Sequence, residues 1–258
     1  MTNKLLSDWP LHIKYVDDTS ALEIIPRNSQ SLLNIVASDV HNFAIKHNMR
    51  LNPSKCKEMH INFLCKSNSI ISPIIIGDKL IERVNTYKIL GIMMDNNLKW
   101  NSHVEYISKK ACKKLYSLRV LRRAGVSQTS ILKVYLYTVR PVLEYAVPVW
   151  QAIPDYLSEV IERVQKRALK IIYPDASYSQ ALQLGGVDGL ENRRMYLCKK
   201  YMNQMKSPNH PLHHLLPTVH VDAPVYNLRR QSQKFYLYGD KVATRTNRAG
   251  HFFTFKYF

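Results

Sequence analysis

The sequence predicts an α+β protein, with strands and hairpins in roughly the first hundred residues and helices in the remainder. Before residue 96, short apolar or alternating segments are separated by turn residues such as Gly77-Asp78, which is typical of strands and hairpins. After Asp95-Asn96-Asn97, apolar residues recur at every third or fourth position, which indicates amphipathic helices. This change of period divides the chain near residue 100.

The first half begins with a predicted hairpin over residues 11–25, in which Asp17 and Asp18 occupy the tip. A helix is expected over about residues 29–47, because four apolar residues share one helical face. These are Leu33, Val36, Val40 and Phe43. Three further β elements should follow, namely a strand over 55–63, a hairpin over 70–84 and a strand over 87–95.

The second half should contain a first helix that includes Val104 to Arg123, followed by helices over about residues 128–146, 155–173 and 189–206. Gly125 ends the first of these, and Ser127 caps the second. The apolar stripe of the first helix consists of Val104, Ile107, Ala111, Leu115 and Leu118. The stripe of the second consists of Ile131, Val134, Tyr135, Thr138 and Val142, and that of the third of Leu157, Ile161, Val164, Ala168 and Ile172.

The chain is strongly basic, with 37 lysines and arginines, 19 acidic residues and a net charge of +18. Residues 1–100 hold 12 basic and 9 acidic residues (+3), residues 101–173 hold 13 and 5 (+8), and residues 174–258 hold 12 and 5 (+7). This charge favours nucleic acid as a partner, the alternative being a basic protein without such a partner. No apolar run could span a bilayer and no signal-peptide pattern is present, so an intracellular protein of cytoplasm or nucleus, without a membrane partner, is expected.

Asp17 and Asp18 are the strongest candidates for chemistry. Carboxylate oxygens are the ligands that Mg²⁺ prefers, and paired acidic ligands are what two-metal phosphoryl transfer requires. The alternative is a solvated polar turn, which is the usual role of adjacent acidic residues. The four cysteines are irregularly spaced and form no Cys-x-x-Cys pair, so a zinc site is not expected.

Basic and aromatic residues supply the other candidates. Lys55 could neutralise a triphosphate or protonate pyrophosphate, or could simply be solvated. The helix that ends at Arg123 is expected to lack a compensating glutamate four residues from its cations, and such repulsion favours a polyanion over a merely solvated face. The basic candidates on the outer faces of this helix and the third are Lys109, Lys110, Lys113, Lys114, Arg119, Arg122, Arg123, Arg163, Lys166, Arg167 and Lys170. Trp100, Tyr106, Tyr116 and Trp150 could stack on bases, although packing in the core is the alternative.

Several motifs, taken in order, resemble the reverse transcriptase of non-long-terminal-repeat (LINE-type) retrotransposons. Tyr15-Val16-Asp17-Asp18 matches the YxDD box of the palm, and Asn52-Pro53-Ser54-Lys55-Cys56 is similar to the helix–loop–Lys element that follows it. Tyr87-Lys88-Ile89-Leu90-Gly91-Ile92 looks like the segment near the primer terminus. Residues 140–150 and 163–172 resemble the thumb region, and the resemblance covers about residues 9–205.

The resemblance implies a partial polymerase palm with antiparallel hairpins, followed by an all-helical thumb-like module. The implied domains are the C-terminal part of the palm at residues 1–100, a helical thumb-like domain at 101–175, and a basic helix with an irregular tail at 176–258. The implied reaction is RNA-directed DNA synthesis, in which a dNTP is joined to a primer 3′-end by two-metal nucleotidyl transfer.

By the same resemblance, Asp17 and Asp18 would be the catalytic ligands of Mg²⁺, and Lys55 would be a catalytic residue at the triphosphate. Leu90 and Gly91 would form a primer-grip-like element. Tyr15 and the basic candidates of the two helices would contact the partners, which are the RNA template and the DNA primer.

The family's palm has a further metal-binding aspartate and a fingers region upstream of YxDD, whereas only 14 residues precede Tyr15 here. We therefore expect a truncated enzyme that is inactive as an isolated chain, with weak or absent Mg²⁺ binding. The alternative is a non-enzymatic protein, derived from a retroelement, that binds RNA or an RNA–DNA hybrid.

Overall fold

The computed structural model describes residues 5–6, 9–26, 29–62 and 71–216, together with the backbone of three short strands closer to the C-terminus. The chain divides into two compact units, residues 1–99 and 100–258. In the described residues the first unit contains short strands and a helix, and the second is mainly helical, so the fold is of mixed α+β type. Within this part of the chain, no helix has both the length and the apolarity needed to cross a membrane.

The first unit consists of short paired strands and one helix among its described residues. Their bounds are β1 His12–Tyr15, β2 Asp18–Ala21, α1 Leu33–Lys46, β3 Lys57–Glu58, β4 Ile75–Ile76, β5 Lys79–Leu80, β6 Glu82–Arg83, β7 Thr86–Ile89 and β8 Ile92–Asp95. The pairs β1–β2, β4–β5 and β7–β8 are antiparallel, whereas β3 and β6 pair in parallel. A small apolar core consists of Ala37, Ile76 and Ile81, against which Leu51, Cys56 and Ile74 pack.

The helix α1 begins later than the sequence predicts, at Leu33 rather than near residue 29. The reason lies in Glu23, whose carboxylate accepts a hydrogen bond from the Leu32 backbone N–H at 2.8 Å and from the Ser31 hydroxyl at 2.7 Å. A carboxylate at this place satisfies a donor at the start of the helix and joins the helix to the segment that follows β2.

The segment predicted as one strand over residues 87–95 is instead a hairpin, so that prediction was wrong. β7 and β8 pair in antiparallel register up to Ile89 opposite Ile92. Between them, Leu90 and Gly91 have φ values of 45° and 87°. Two central residues with positive φ produce a tight turn whose twist matches that of the flanking strands. In the sequence, only Gly91 marks this turn inside a continuous apolar run.

The strand predicted over residues 55–63 is also shorter than expected. Of its described residues only Lys57 and Glu58 form a strand, and Phe63 lies outside the described residues. The hairpin predicted around Gly77-Asp78 is present as β4 and β5, and Gly77 has the positive φ of 60° that such a turn requires.

The second unit is built from helices that pack on one another. Their bounds are α2 Asn101–Arg123, α3 Gln128–Val134, a π-helical turn Tyr135–Val139, α4 Arg140–Glu144, α5 Val147–Trp150, α6 Asp155–Ile172, α7 Tyr178–Gly185 and α8 Leu190–Met205, followed by a 3₁₀ turn His213–Leu215. Strands β9 Thr218–Val219, β10 Phe235–Leu237 and β11 Asp240–Val242 form an antiparallel sheet in the order β11-β10-β9. The first predicted helix and those over residues 155–173 and 189–206 correspond to α2, α6 and α8. Every residue of the predicted stripes of α2 and α6 is buried, and the two helices pack against each other.

The helix predicted over residues 128–146 is present as α3, the π-helical turn and α4, but its buried face changes after Tyr135. Tyr135 is buried as predicted, whereas Val139 and Leu143 are buried in place of Thr138 and Val142. In a π-helical turn each hydrogen bond spans five residues instead of four. The extra residue displaces every later side chain by one position along the helix face.

The further boundary expected at residue 175 lies inside the second unit. The helix α8 packs on α5 and α6, and it buries Leu190, Cys198 and Met202 completely. Residues up to Met205 therefore belong to the helical unit, because α8 covers apolar surface of α5 and α6 that would otherwise be exposed to water.

Candidate functional site

The YxDD residues form the end of the first hairpin. Tyr15, the last residue of β1, pairs with Asp18, the first residue of β2, so Val16 and Asp17 are the two turn residues. All four residues are exposed. The structure thus has two adjacent carboxylates at an accessible hairpin tip, with the aromatic ring of Tyr15 beside them in the ladder.

The turn holds Val16 in an unfavourable backbone conformation. Its φ of 56° lies in the left-handed region, which costs an L-residue about 1–2 kcal/mol and is rare for a β-branched side chain. Hydrogen bonds at the other end of the hairpin hold the chain in place. Trp9 Nε1 donates to the Leu22 carbonyl at 3.0 Å, and His12 Nδ1 donates to the Trp9 carbonyl at 2.6 Å. Backbone strain persists only where surrounding contacts support it, as they do here.

Asp17 and Asp18 fit the donor set that Mg²⁺ uses when it binds together with a phosphate. In such sites the ion keeps several waters and takes one or two protein carboxylates plus phosphate oxygens. Among the described residues, no group of three or more His, Cys, Asp or Glu side chains is placed to hold a metal ion. An ion held by this pair alone would take its remaining ligands from water or phosphate oxygens.

Lys55 lies in an exposed turn beside the β7–β8 hairpin. Its backbone N–H donates to the Asn52 carbonyl at 3.0 Å, and its own carbonyl accepts from the Tyr87 hydroxyl at 3.4 Å. In the described part of the chain, no hydrogen bond or ion pair joins Lys55 to Asp17 or Asp18. The structure therefore brings Lys55 together with the Tyr87 strand, while its side chain is open to solvent.

Leu90 and Gly91, the predicted primer-grip-like residues, form the tip of the β7–β8 hairpin, and Leu90 is exposed. At the other end of this hairpin, the Thr86 hydroxyl donates to the buried Asp95 carboxylate at 2.7 Å. The first unit consequently presents two hairpin tips to solvent, one acidic and one apolar.

The seven basic candidates of α2 are all exposed, as the sequence predicts. The expectation that this helix lacks a compensating glutamate is wrong for Lys109, which pairs with Glu105 one turn earlier. Lys110 lies over the ring of Tyr106, with its Nζ 6.0 Å from the ring centre. The other five form no ion pair with any described carboxylate, and they are Lys113, Lys114, Arg119, Arg122 and Arg123.

A long stretch of sequence around these five cations contains no acid. Between Glu105 and Glu144 there are nine lysines and arginines and no aspartate or glutamate. Glu144 itself is occupied by Arg140 at 3.3 Å and Arg193 at 3.1 Å. Neither the C-terminal half of α2 nor α3 therefore contains a carboxylate that could offset this charge.

The four basic candidates of α6 are exposed on the face opposite its buried stripe, and they are Arg163, Lys166, Arg167 and Lys170. Lys166 Nζ lies 5.4 Å from the centre of the Tyr178 ring. Because α2 and α6 pack against each other, the two helices that carry the predicted basic residues are direct neighbours in the second unit.

A buried polar network, which sequence reasoning missed, joins α6 to the π-helical turn and to α7. The Tyr135 hydroxyl donates to Gln165 Oε1 at 2.6 Å, and Gln165 Nε2 donates to the Tyr178 hydroxyl and to the Asp188 carbonyl, each at 3.0 Å. The Tyr178 hydroxyl also donates to Glu162. Burial raises the pKa of both tyrosines well above the ordinary value, and the hydrogen bond to Glu162 raises the pKa of Tyr178 further. The sequence feature that could have indicated this network is Gln165, a polar residue next to Val164 in the apolar stripe of α6.

Arg194 is a second buried polar residue that the sequence did not single out. It is only 1% exposed, and it lies on α8. Its Nε donates to Gln151 Oε1 at 3.0 Å, and its Nη2 donates to the Ser158 hydroxyl at 2.5 Å. The oxygen acceptors of Nε and Nη2 offset part of the cost of burying a guanidinium group, and through them Arg194 joins α8 to α6 and to the segment after α5.

The structure separates the four aromatic residues that could stack on bases. Trp100 and Trp150 are buried, and Tyr106 is half-buried beneath Lys110. Tyr116 is 65% exposed. Core packing is therefore the role of the two tryptophans, and Tyr116 remains open to a ligand.

Comparisons with known proteins identify no relative of this chain. No protein-family model, no characterised protein and no solved structure matches it.

Proposed function

We propose that this chain takes part in RNA-directed DNA synthesis, as the palm and thumb part of a LINE-type reverse transcriptase. The first unit would be a portion of the palm, and the second unit would be the thumb-like module that holds the template and the primer. The observation that carries the proposal is the Tyr15–Asp18 hairpin, since it places both carboxylates of the YxDD motif at an exposed, strained turn.

In this proposal the first unit carries the chemistry. Asp17 and Asp18 would hold Mg²⁺, which in two-metal transfer stabilises the charge on the attacking 3′-oxygen and on the leaving pyrophosphate. Tyr15, on the strand beside Asp18, would contact the nucleic acid. Lys55 would neutralise charge on the triphosphate or donate a proton to the pyrophosphate, for which its exposed side chain is free to move.

The second unit would bind the phosphate backbone of the template and primer. The five cations of α2 without a described carboxylate partner, together with the exposed cations of the neighbouring α6, support this role. Phosphate contacts from lysine and arginine fix the position of a nucleic acid without reading its sequence. Leu90 and Gly91 would contact the primer from the tip of the second hairpin.

Primer extension on an RNA template tests the catalytic assignment. The full chain would be incubated with primer, dNTPs and Mg²⁺, alongside Asp17→Asn and Asp18→Asn variants. Asp39→Asn is the matched control, because Asp39 is an exposed aspartate on α1. Extension that is lost in the first two variants and kept in the control supports the catalytic assignment, and equal extension by all four proteins contradicts it. A parent chain that extends no primer but binds the hybrid would leave nucleic-acid binding, the second candidate below, as the function of the isolated chain.

A second candidate function is non-enzymatic binding of RNA or an RNA–DNA hybrid, favoured by the acid-free basic stretch between Glu105 and Glu144. It predicts that the parent chain binds hybrid but extends no primer. It also predicts that affinity falls steeply with salt, by a logarithmic slope of about 0.7–0.9 for each phosphate contacted. Replacing Lys113 and Lys114 by glutamine should reduce this slope, whereas an unchanged slope would exclude the C-terminal half of α2 from the interface.

A further inference from the structure

The exposed surface of the C-terminal half of α2 combines one aromatic ring with several cations. Tyr116 is 65% exposed, and Val120, one turn later on the same face, is 42% exposed. Lys113 and Arg119 lie three residues before and after Tyr116, and side chains at this spacing are neighbours on a helix surface. The ring is therefore flanked by positive charge on both sides along the helix.

The ring of Tyr116 is open rather than covered by one of these cations. Elsewhere in the second unit, cations lie over tyrosine rings, namely Lys110 over Tyr106, Lys166 over Tyr178 and Arg193 over Tyr196. Within the described residues, Tyr116 has no such cover, and its hydroxyl has no hydrogen-bond partner. Both the ring face and the neighbouring cations are thus available to the same ligand.

We infer that Tyr116 stacks on an unpaired base of single-stranded nucleic acid, while the neighbouring cations contact the phosphates on either side. The inference rests on the proposed nucleic-acid-binding function and adds the kind of nucleic acid. Cations alone bind the phosphates of duplex and single strand alike, but a duplex keeps its bases stacked inside. An exposed aromatic ring gives binding energy only where a base presents its face, so the pairing of ring and charge favours a single strand.

The test compares strands that differ only in their bases. Binding of the full chain to a labelled oligouridylate, to its deoxy counterpart and to an abasic strand of equal length would be followed by fluorescence anisotropy. Stacking on one base predicts that Tyr116→Ala lowers affinity for the two base-bearing strands by about 5- to 140-fold. Affinity for the abasic strand should not change, because its phosphates remain.

Two control variants and the charge variant make every outcome decisive. Tyr116→Phe keeps the ring and should bind as the parent does. Tyr156→Ala removes another exposed tyrosine, 56% exposed, whose neighbours Asp155 and Glu159 are acidic, and this variant should also bind normally. An equal loss on base-bearing and abasic strands, or no loss on either, would overturn the inference.

The charge variant Lys113→Gln/Lys114→Gln separates this inference from the proposed function. If it weakens binding to all strands while Tyr116→Ala changes none, the stacking role is wrong and the proposed function stands. If the parent binds an RNA–DNA hybrid but no single strand, this inference alone is wrong. If it binds neither, both are wrong. Circular dichroism of each variant checks that α2 remains helical.

Discussion

Replacing Tyr135 by phenylalanine removes one hydroxyl group from the interior of the helical unit and leaves the ring in place. Tyr135 and Gln165 are both 0% exposed, and the hydroxyl donates to Gln165 Oε1 at 2.6 Å. Removing the donor leaves a buried acceptor without this bond, which costs about 1–3 kcal/mol. At neutral pH we therefore expect Tyr135→Phe to lower the free energy of unfolding by that amount.

The same substitution should become less destabilising in alkaline solution. Burial raises the pKa of Tyr135, so the folded chain keeps the phenolic proton at a pH where the unfolded chain has lost it. Below the ordinary tyrosine pKa of about 10, both states are protonated and the difference between parent and variant is constant. Above it, the parent loses about 1.4 kcal/mol of stability per pH unit through this group, and the variant has no such proton to lose. The two stabilities should cross about one to two pH units above 10.

Urea unfolding followed by far-ultraviolet circular dichroism measures this effect, because most of the described helices lie in the second unit. Parent and variant would be compared at neutral pH and in steps above pH 10. Tyr137→Phe is the control, since its exposed hydroxyl should change neither the stability nor its pH dependence. A difference between parent and Tyr135→Phe that stays constant with pH, or that is absent at neutral pH, would refute this account of the network.

Two further predictions concern the first unit. Val16→Gly should stabilise the β1–β2 hairpin by up to about 1 kcal/mol, because the relief of left-handed strain exceeds the entropy cost of glycine; slower amide hydrogen exchange in the hairpin would show it, and faster exchange would contradict it. Arg83→Leu should destabilise the unit by about 1–3 kcal/mol. The buried Glu58 carboxylate loses the two hydrogen bonds of 3.2 Å from Arg83 and keeps the hydrogen bond of 2.5 Å with His60 Nε2. The double variant with Glu58→Leu should recover part of that loss in urea unfolding, and a double variant less stable than the single one would argue against the pair.

The helices α2 and α6 could be predicted closely from the sequence because each has a buried stripe opposite a basic face. The period of the apolar residues then fixes both the element and its orientation. The buried face after Tyr135 could not be predicted, since a π-helical turn breaks the 3.6-residue period and leaves no mark in the residue types. The β7–β8 hairpin was missed for a related reason, because a turn at Leu90-Gly91 inside an apolar run looks like the middle of a strand.

The candidate site shows the same division between local pattern and tertiary context. The acidic tip at Asp17 and Asp18 follows from a local pattern and is present in the hairpin. The sequence does not indicate whether Tyr106 or Tyr116 is exposed, because both have lysine neighbours on the same helix. Their difference depends on what packs over each ring. The ion pair of Glu105 with Lys109 was visible in the spacing and was overlooked.

The buried guanidinium of Arg194 determines where the polypeptide can be shortened. Its partners, Gln151 and Ser158, lie more than 30 residues earlier in the chain, so α8 is part of the interior of its unit. A fragment that stops before Leu190 would leave both partners without the side chain that joins them, and would uncover the apolar surface beneath α8. A fragment that extends through Met205 would keep Arg194 with both partners and would keep α8 over the apolar surface that it buries.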